Sequence, residues 1–260
     1  PIGGNTYNAA AFNGIFGGQN HKITAVHPVL DSNSFYPMQS YGLFGNAGSK
    51  SIIKNLTVTG GTQIAPSSTT NTLYAGGVVG STNGRVENVQ TNFNISASDA
   101  SYYDVQSLYA GGICGKGNIV TNAKSSGKIG LAYANVQWRI GNHGGIGGIV
   151  GRGGNINKAQ SDCVISVWGK NMTAVGGIVG EGLDCNVDNA CFYGSLSIQQ
   201  DIWYNPSAFL TACSGIVGRS DGSLSVSNCI SAPSSYSVNV SAIYLAPIAG
   251  DSQSQSWTGS

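Results

Sequence analysis

Apolar positions in this chain gather in short glycine-framed boxes that keep returning. The boxes read YGLFG at 41–45, AGGVVG at 75–80, AGGICG at 110–115, IGGIVG at 146–151, VGGIVG at 175–180, CSGIVG at 213–218 and, without its paired glycines, LAPIAG at 245–250. Their closing glycines, Gly45, Gly80, Gly115, Gly151, Gly180, Gly218 and Gly250, are spaced by 35, 35, 36, 29, 38 and 32 residues. A period in this range marks a repeat architecture. After each box come a polar turn and a β-prone segment: 51–58, 85–95, 118–129, 155–167, 186–198 and 224–230. Asparagine recurs near the middle of these segments, at Asn55, Asn88, Asn122, Asn189 and Asn228, with Lys158 in its place in the fourth. Alternation is visible in runs such as Leu196 and Ile198, and no sustained helical stripe occurs, so no helix longer than a turn is expected.

A unit of this size cannot bury its apolar face alone. If each unit lies on the last, identical positions meet at about 4.8 Å and every strand gains a parallel partner. The expected fold is therefore all-β: a parallel β-solenoid, or β-helix, of about seven rungs with a period near 34 residues, right-handed by the rule for parallel crossovers. The recurring asparagines should stack as an amide ladder. Tyr74 and Tyr109, both in LYAGG, should meet face to edge in adjacent rungs. A propeller blade needs four antiparallel strands, and at most three fit one period. Residues 1–40 read as an opening rung (strand restarting near Ile23) and a cap-like loop over 27–40, 41–250 as the repeats, and 251–260 as a polar tail that covers no rung.

Composition narrows the function. Charged residues make up 9% of the chain and the net charge is +1, against roughly 25% charged in ordinary domains. No basic stripe marks a nucleic-acid partner, and no apolar run approaches the ~20 residues of a membrane span. A surface of Ser, Thr and Asn suits an extracellular or cell-surface setting. The start at Pro1 suggests a piece of a longer product. The six cysteines, Cys114, Cys163, Cys185, Cys191, Cys213 and Cys229, form no CxxC pair. They read equally as disulfide partners and as small buried hydrophobes.

Box and downstream asparagine together, as in GGIVGEGLDCNVDNACFYGSLSI and in FNGIFGGQNHKI followed by YGLFGNAGSKSIIKNLTV, resemble the GLUG-type repeat. Such repeats occur in large secreted and cell-surface proteins, including non-catalytic regions of IgA-specific zinc metallopeptidases. The resemblance spans roughly 11–250. It implies a stalk or surface module. Separately, a solenoid ends in unpaired strand edges that need covering, which points to flanking domains or neighbouring copies of the chain as partners.

Candidate chemistry is sparse. His21, His27 and His143 lie in no HExxH motif, GxSxG is missing, and no GK[ST] follows the glycine boxes. The single acidic cluster is Glu181, Asp184 and Asp188. It is the candidate calcium site and the only centre for a polysaccharide-active enzyme; a solvated turn is the plainer reading. Otherwise no cofactor is expected. Stronger is a set of aromatic insertions in one phase of the repeat: Tyr102, Tyr103 and Asp104; Tyr133, Trp138 and Arg139; Trp203, Tyr204 and Asn205. Insertions at one phase emerge on one face, often the binding face. Aromatics beside Asp, Asn and Arg suit glycan or protein recognition, or else form a lid on the strands. The sequence thus favours a non-catalytic structural or adhesive module. A polysaccharide lyase or hydrolase and a self-assembling extracellular filament subunit are the alternatives.

Overall fold

The computed structural model describes residues 2–4, 10–28, 38–64, 70–97, 105–131, 143–169, 174–200, 211–239, 243–246 and 248–255. Parallel strands stack into a β-solenoid of about five turns. A smaller sheet takes one strand from each repeat, in the order Met38–Tyr41, Thr70–Gly76, Val105–Gly111, His143–Gly147, Ala174–Gly176, Thr211–Ser214 and Ile243–Ala246. A larger sheet of fifteen strands wraps the rest of each rung.

The boxes bend the chain from the small sheet into the large one. In-register pairing turns each box position into a column: Ala75, Ala110, Ile146, Val175, Cys213 and Leu245 pair in succession. So do Val79, Cys114, Val150, Val179 and Val217, all fully buried. At the corner itself Val78, Ile113, Ile149, Ile178 and Ile216 are fully buried as well. On the large sheet, Ile53, Val86, Val120, Ile156, Val187 and Val226 form a further column. Each such side chain stabilises the fold by about 1.5–3 kcal/mol through burial. Three buried hydroxyls face this interior: Thr91 donates to Gly112 O at 3.0 Å and lies 3.0 Å from Ser125 Oγ, and Ser161 stacks next in register.

Glycine is required in the boxes because two backbones touch there. A Cβ on Gly151 would lie 2.5 Å from Ala110 N and 2.7 Å from Gly115 O. The second glycine of each pair makes room for an interior side chain instead: a Cβ on Gly77 would lie 3.0 Å from the Phe93 Cβ.

The recurring asparagines bend the large sheet. Asn55, Asn88, Asn122, Lys158, Asn189 and Asn228 have φ of 58°, 53°, 51°, 54°, 54° and 51°. Asparagine tolerates this left-handed conformation better than other non-glycine residues. Asn20, with φ 62°, takes the same conformation in the opening strand Ile15–Val26, which pairs in parallel with Ile52–Ile64.

Three expectations need correction. The stretch 27–40 is not all loop, since Met38–Tyr41 is a strand of the small sheet. The polar tail does extend a rung: Ala249–Gln255 is a strand in which Asp251 pairs with Arg219 and Ser252 with Ser220. Main-chain pairing onto a preceding strand is indifferent to side-chain polarity, so neither strand announced itself. Tyr74 and Tyr109 do not meet face to edge. Their rings stack with centroids 5.4 Å apart and planes 17° from parallel, as identical positions on in-register strands dictate.

Two predictions follow from this packing. Gly151→Ala should cost about 3 kcal/mol or more by overpacking backbone on backbone. Gly130→Ala, whose Cβ would meet nothing within 4 Å, should change stability by less than about 1 kcal/mol. Equal urea midpoints for the two variants would sink the close-approach account. Lys158→Asn should stabilise the fold by about 1 kcal/mol by removing a lysine from the left-handed region; an unchanged or lowered thermal midpoint would contradict it.

Candidate functional site

The aromatic insertion residues Tyr102, Tyr103, Asp104, Trp138, Arg139, Trp203, Tyr204 and Asn205 lie outside the described residues. The strands that flank the insertions are described. Chain leaves the large sheet beside the column Ile95, Ile129, Ile165, Leu196 and Tyr236. It re-enters the small sheet beside the column Tyr74, Tyr109, Gly145, Ala174, Ala212 and Tyr244. The ends of successive insertions are therefore stacked along one edge of the solenoid.

The acidic trio does not converge. Glu181 is 5% exposed and faces Arg152, its Oε1 lying 3.4 Å from Nε. Asp184 accepts from Ser223 N at 3.1 Å and from Ser223 Oγ at 3.0 Å. Asp188 accepts from Ser227 Oγ, Asn228, Asn189 and Asn157 at 2.7, 2.9, 2.6 and 3.2 Å. Those donors, Ser227 and Asn228 foremost, hold its carboxyl below the usual value. Each carboxylate is claimed by a different neighbour. Among the described residues no three His, Cys, Asp or Glu side chains group to hold a metal ion, and the calcium reading of Glu181, Asp184 and Asp188 has no geometric support.

The asparagine positions divide into two halves. Asn88 Nδ2 donates to Asn55 Oδ1 at 2.7 Å and Asn122 Nδ2 to Asn88 Oδ1 at 2.8 Å. Beyond Lys158, Asn189 and Asn228 both donate to Asp188 instead.

All six cysteines are free thiols, against the disulfide alternative. Cys114, Cys163, Cys185 and Cys213 are buried in the core cluster. Burial pushes the thiols up, Cys185 to about 12 and Cys213 to about 11. A thiol this far from ionisation is a poor nucleophile.

The densest polar constellation is one that the repeat reading passed over. The residue after each closing glycine forms a cross-rung column: Ser81, Lys116, Arg152, Glu181, Arg219 and Asp251. Arg152 sits with its Cζ 5.1 Å from the Tyr109 ring centroid and donates from Nη1 to Tyr109 Oη at 3.3 Å. A line of contacts thus runs Tyr74, Tyr109, Arg152, Glu181. Burial, with Glu181 nearby, pushes the Tyr109 hydroxyl up to about 12, against the Arg152 charge. Beside the line is a depression of about 140 Å³ walled by Asn83, Lys116, Gly117, Asn118, Arg152, Gly153, Gly154 and Leu183. Partial burial, then the Arg152 charge, lowers the Lys116 ammonium from its usual value. The sequence did hold a signal: in a chain with so few charges, the position following the closing glycine is charged in five successive repeats.

Compared with protein-family models, curated proteins and solved structures, the chain has no match. Among the described residues no helix is long and apolar enough to cross a membrane.

Glu181→Gln leaves the Arg152 guanidinium without its carboxylate. The expected loss is about 2 kcal/mol, below the range for fully interior pairs because Arg152 keeps some water. A chemical-denaturation midpoint equal to that of the parent chain would show the pair to be energetically idle.

Proposed function

We propose that this chain is a non-catalytic extracellular module of a larger surface or secreted protein, a GLUG-type repeat region that works as a rigid spine for recognition. The observation that carries this reading is the stacking of the insertion ends in two columns on one edge. A solenoid so built holds segments of independent sequence at a fixed spacing, and the longest of them bring Trp138 with Arg139 and Trp203 with Tyr204. Aromatic faces and neighbouring polar groups recognise sugars or a protein surface, and repetition along the edge adds avidity. The non-catalytic part is supported by how the carboxylates are used. Glu181 answers Arg152, Asp184 holds Ser223, Asp188 collects amides, Glu87 pairs with Arg85 and Asp162 with Lys124. Those are structural duties between or within rungs.

The test is a glycan-array and cleavage screen on the 260-residue chain. Binding without cleavage, reduced about tenfold by Trp138→Ala or Trp203→Ala at an unchanged thermal midpoint, is the expected result. Released product would move the chain to the polysaccharide-active class. Fibres at raised concentration would favour the filament subunit.

A further inference from the structure

The depression beside Tyr109 has the chemistry of a ligand subsite. Glycine backbone at Gly117, Gly153 and Gly154 lines it, and a side chain at Gly154, whose Cβ would face Asn118 and Leu183, is the one that would fill it. Two cations stand over it from adjacent rungs, and strand register places Lys116 directly opposite Arg152. Like charges directly opposite one another on neighbouring strands are destabilising. Glu181, on the far side of Arg152, answers only one of the two. Across the rung on its other side, Lys116 faces Ser81, and no carboxylate lies within ion-pair distance of it among the described residues. The amides of Asn83 and Asn118 flank the opening, with Asn118 Nδ2 donating to Asn83 O at 3.2 Å. Leu183, 44% exposed, forms an apolar lip. The wall residues come from four successive rungs, so the depression is elongated along the stack.

From these features we infer that the depression is a subsite for an oxyanion carried on an acidic glycan, a sulfate ester or a uronate carboxylate. Lys116 supplies the unanswered charge and Arg152 the planar donors that its contacts with Tyr109 and Glu181 hold in place. The two asparagines meet sugar hydroxyls, and Leu183 covers an apolar ring edge. An extended polymer fits a depression that crosses rungs better than a compact ion does. The bound oxyanion relieves the repulsion between Lys116 and Arg152, so ligand binding and fold stability are linked. The inference rests on the recognition role proposed above and adds to it a ligand class and a subsite of described residues.

The experiment measures binding of the full chain to a sulfated hexasaccharide, an oligogalacturonate of equal length, the matching neutral oligosaccharide and inorganic sulfate. Sulfated or uronic ligand should bind and raise the thermal midpoint, with affinity falling as salt increases. Whichever of the two binds more tightly identifies the oxyanion. Lys116→Gln should lose about tenfold in affinity, the scale of one hydrogen bond to a charged group, while keeping or raising the midpoint of the free chain. Lys128→Gln, the same charge change on an exposed strand position, should leave binding unchanged. Equal losses for the two variants, or equal binding of polyglutamate, would reduce the effect to unspecific attraction and overturn the subsite. Binding of inorganic sulfate alone would overturn the glycan assignment. If acidic glycans bind but respond only to Trp138→Ala and Trp203→Ala, the recognition role stands and this subsite falls.

Discussion

Everything in this fold hangs on how closely two main chains can approach at the glycine box. The closing glycine of one rung lies against the small-sheet backbone of the rung before it: Gly80 against Tyr41, Gly151 against Ala110, Gly218 against Val175. At such separations there is no space for a Cβ, and the packing is of peptide on peptide. The middle glycine admits an interior side chain from the large sheet, Phe93 above Gly77 and Phe192 above Gly177. Because the approach is fixed by backbone geometry, the corner repeats faithfully while the rest of the rung is free to change length. The spacing of the closing glycines ranges from 29 to 38 residues, and strand pairing on both sides of the corner is nevertheless kept. Length variation is absorbed between the large-sheet strand and the return to the small sheet, where the aromatic insertions lie.

The same fixed corner governs the surface. The side chain after the closing glycine emerges at one place on successive rungs, which turns a sequence position into a column of Lys116, Arg152, Glu181 and Arg219. The column borders the stacked tyrosines, so Arg152 can lie over Tyr109 and still reach Glu181. Burial of Glu181 is possible in part because Gly145, its neighbour on the small sheet, has no side chain to compete: a Cβ there would come within 3.0 Å of the Glu181 Cβ.

The fold was legible in the sequence because repetition multiplies a weak local signal. One GGIVG box means little, whereas seven boxes at six near-equal spacings imply stacked units. The positions of Asn55, Asn88 and Asn122 were legible for the same reason. The strands Met38–Tyr41 and Ala249–Gln255 were not, since a chain added to an existing edge is held by main-chain hydrogen bonds and needs no apolar pattern. Tyr74 and Tyr109 were expected to be neighbours, but ring orientation is set by register and rotamer, which spacing does not encode. The acidic trio failed for a physical reason: residues three to seven apart on a bent strand project in different directions. Lys116 and Arg152 were overlooked because a lone charge after a glycine looks like ordinary surface until the rungs are aligned.

In-register parallel stacking also explains why the chain is so poor in charge. Every position meets its own counterpart at about 4.8 Å, so a charged residue conserved from rung to rung would face its like along the whole stack. Where charges do stack, sign alternates: Lys54 faces Glu87, and Arg152, Glu181, Arg219 and Asp251 follow one another. Lys124, set opposite Gln160, reaches Asp162 instead. Lys116 opposite Arg152 breaks this order at a half-buried site lined by glycine. Charges that face neutral partners, such as Lys22 opposite Thr57 and Lys128 opposite Val164, are exposed to solvent, whereas the like-signed pair Lys116 and Arg152 borders an open depression, and it is there that the ligand proposed above would supply the counter-charge.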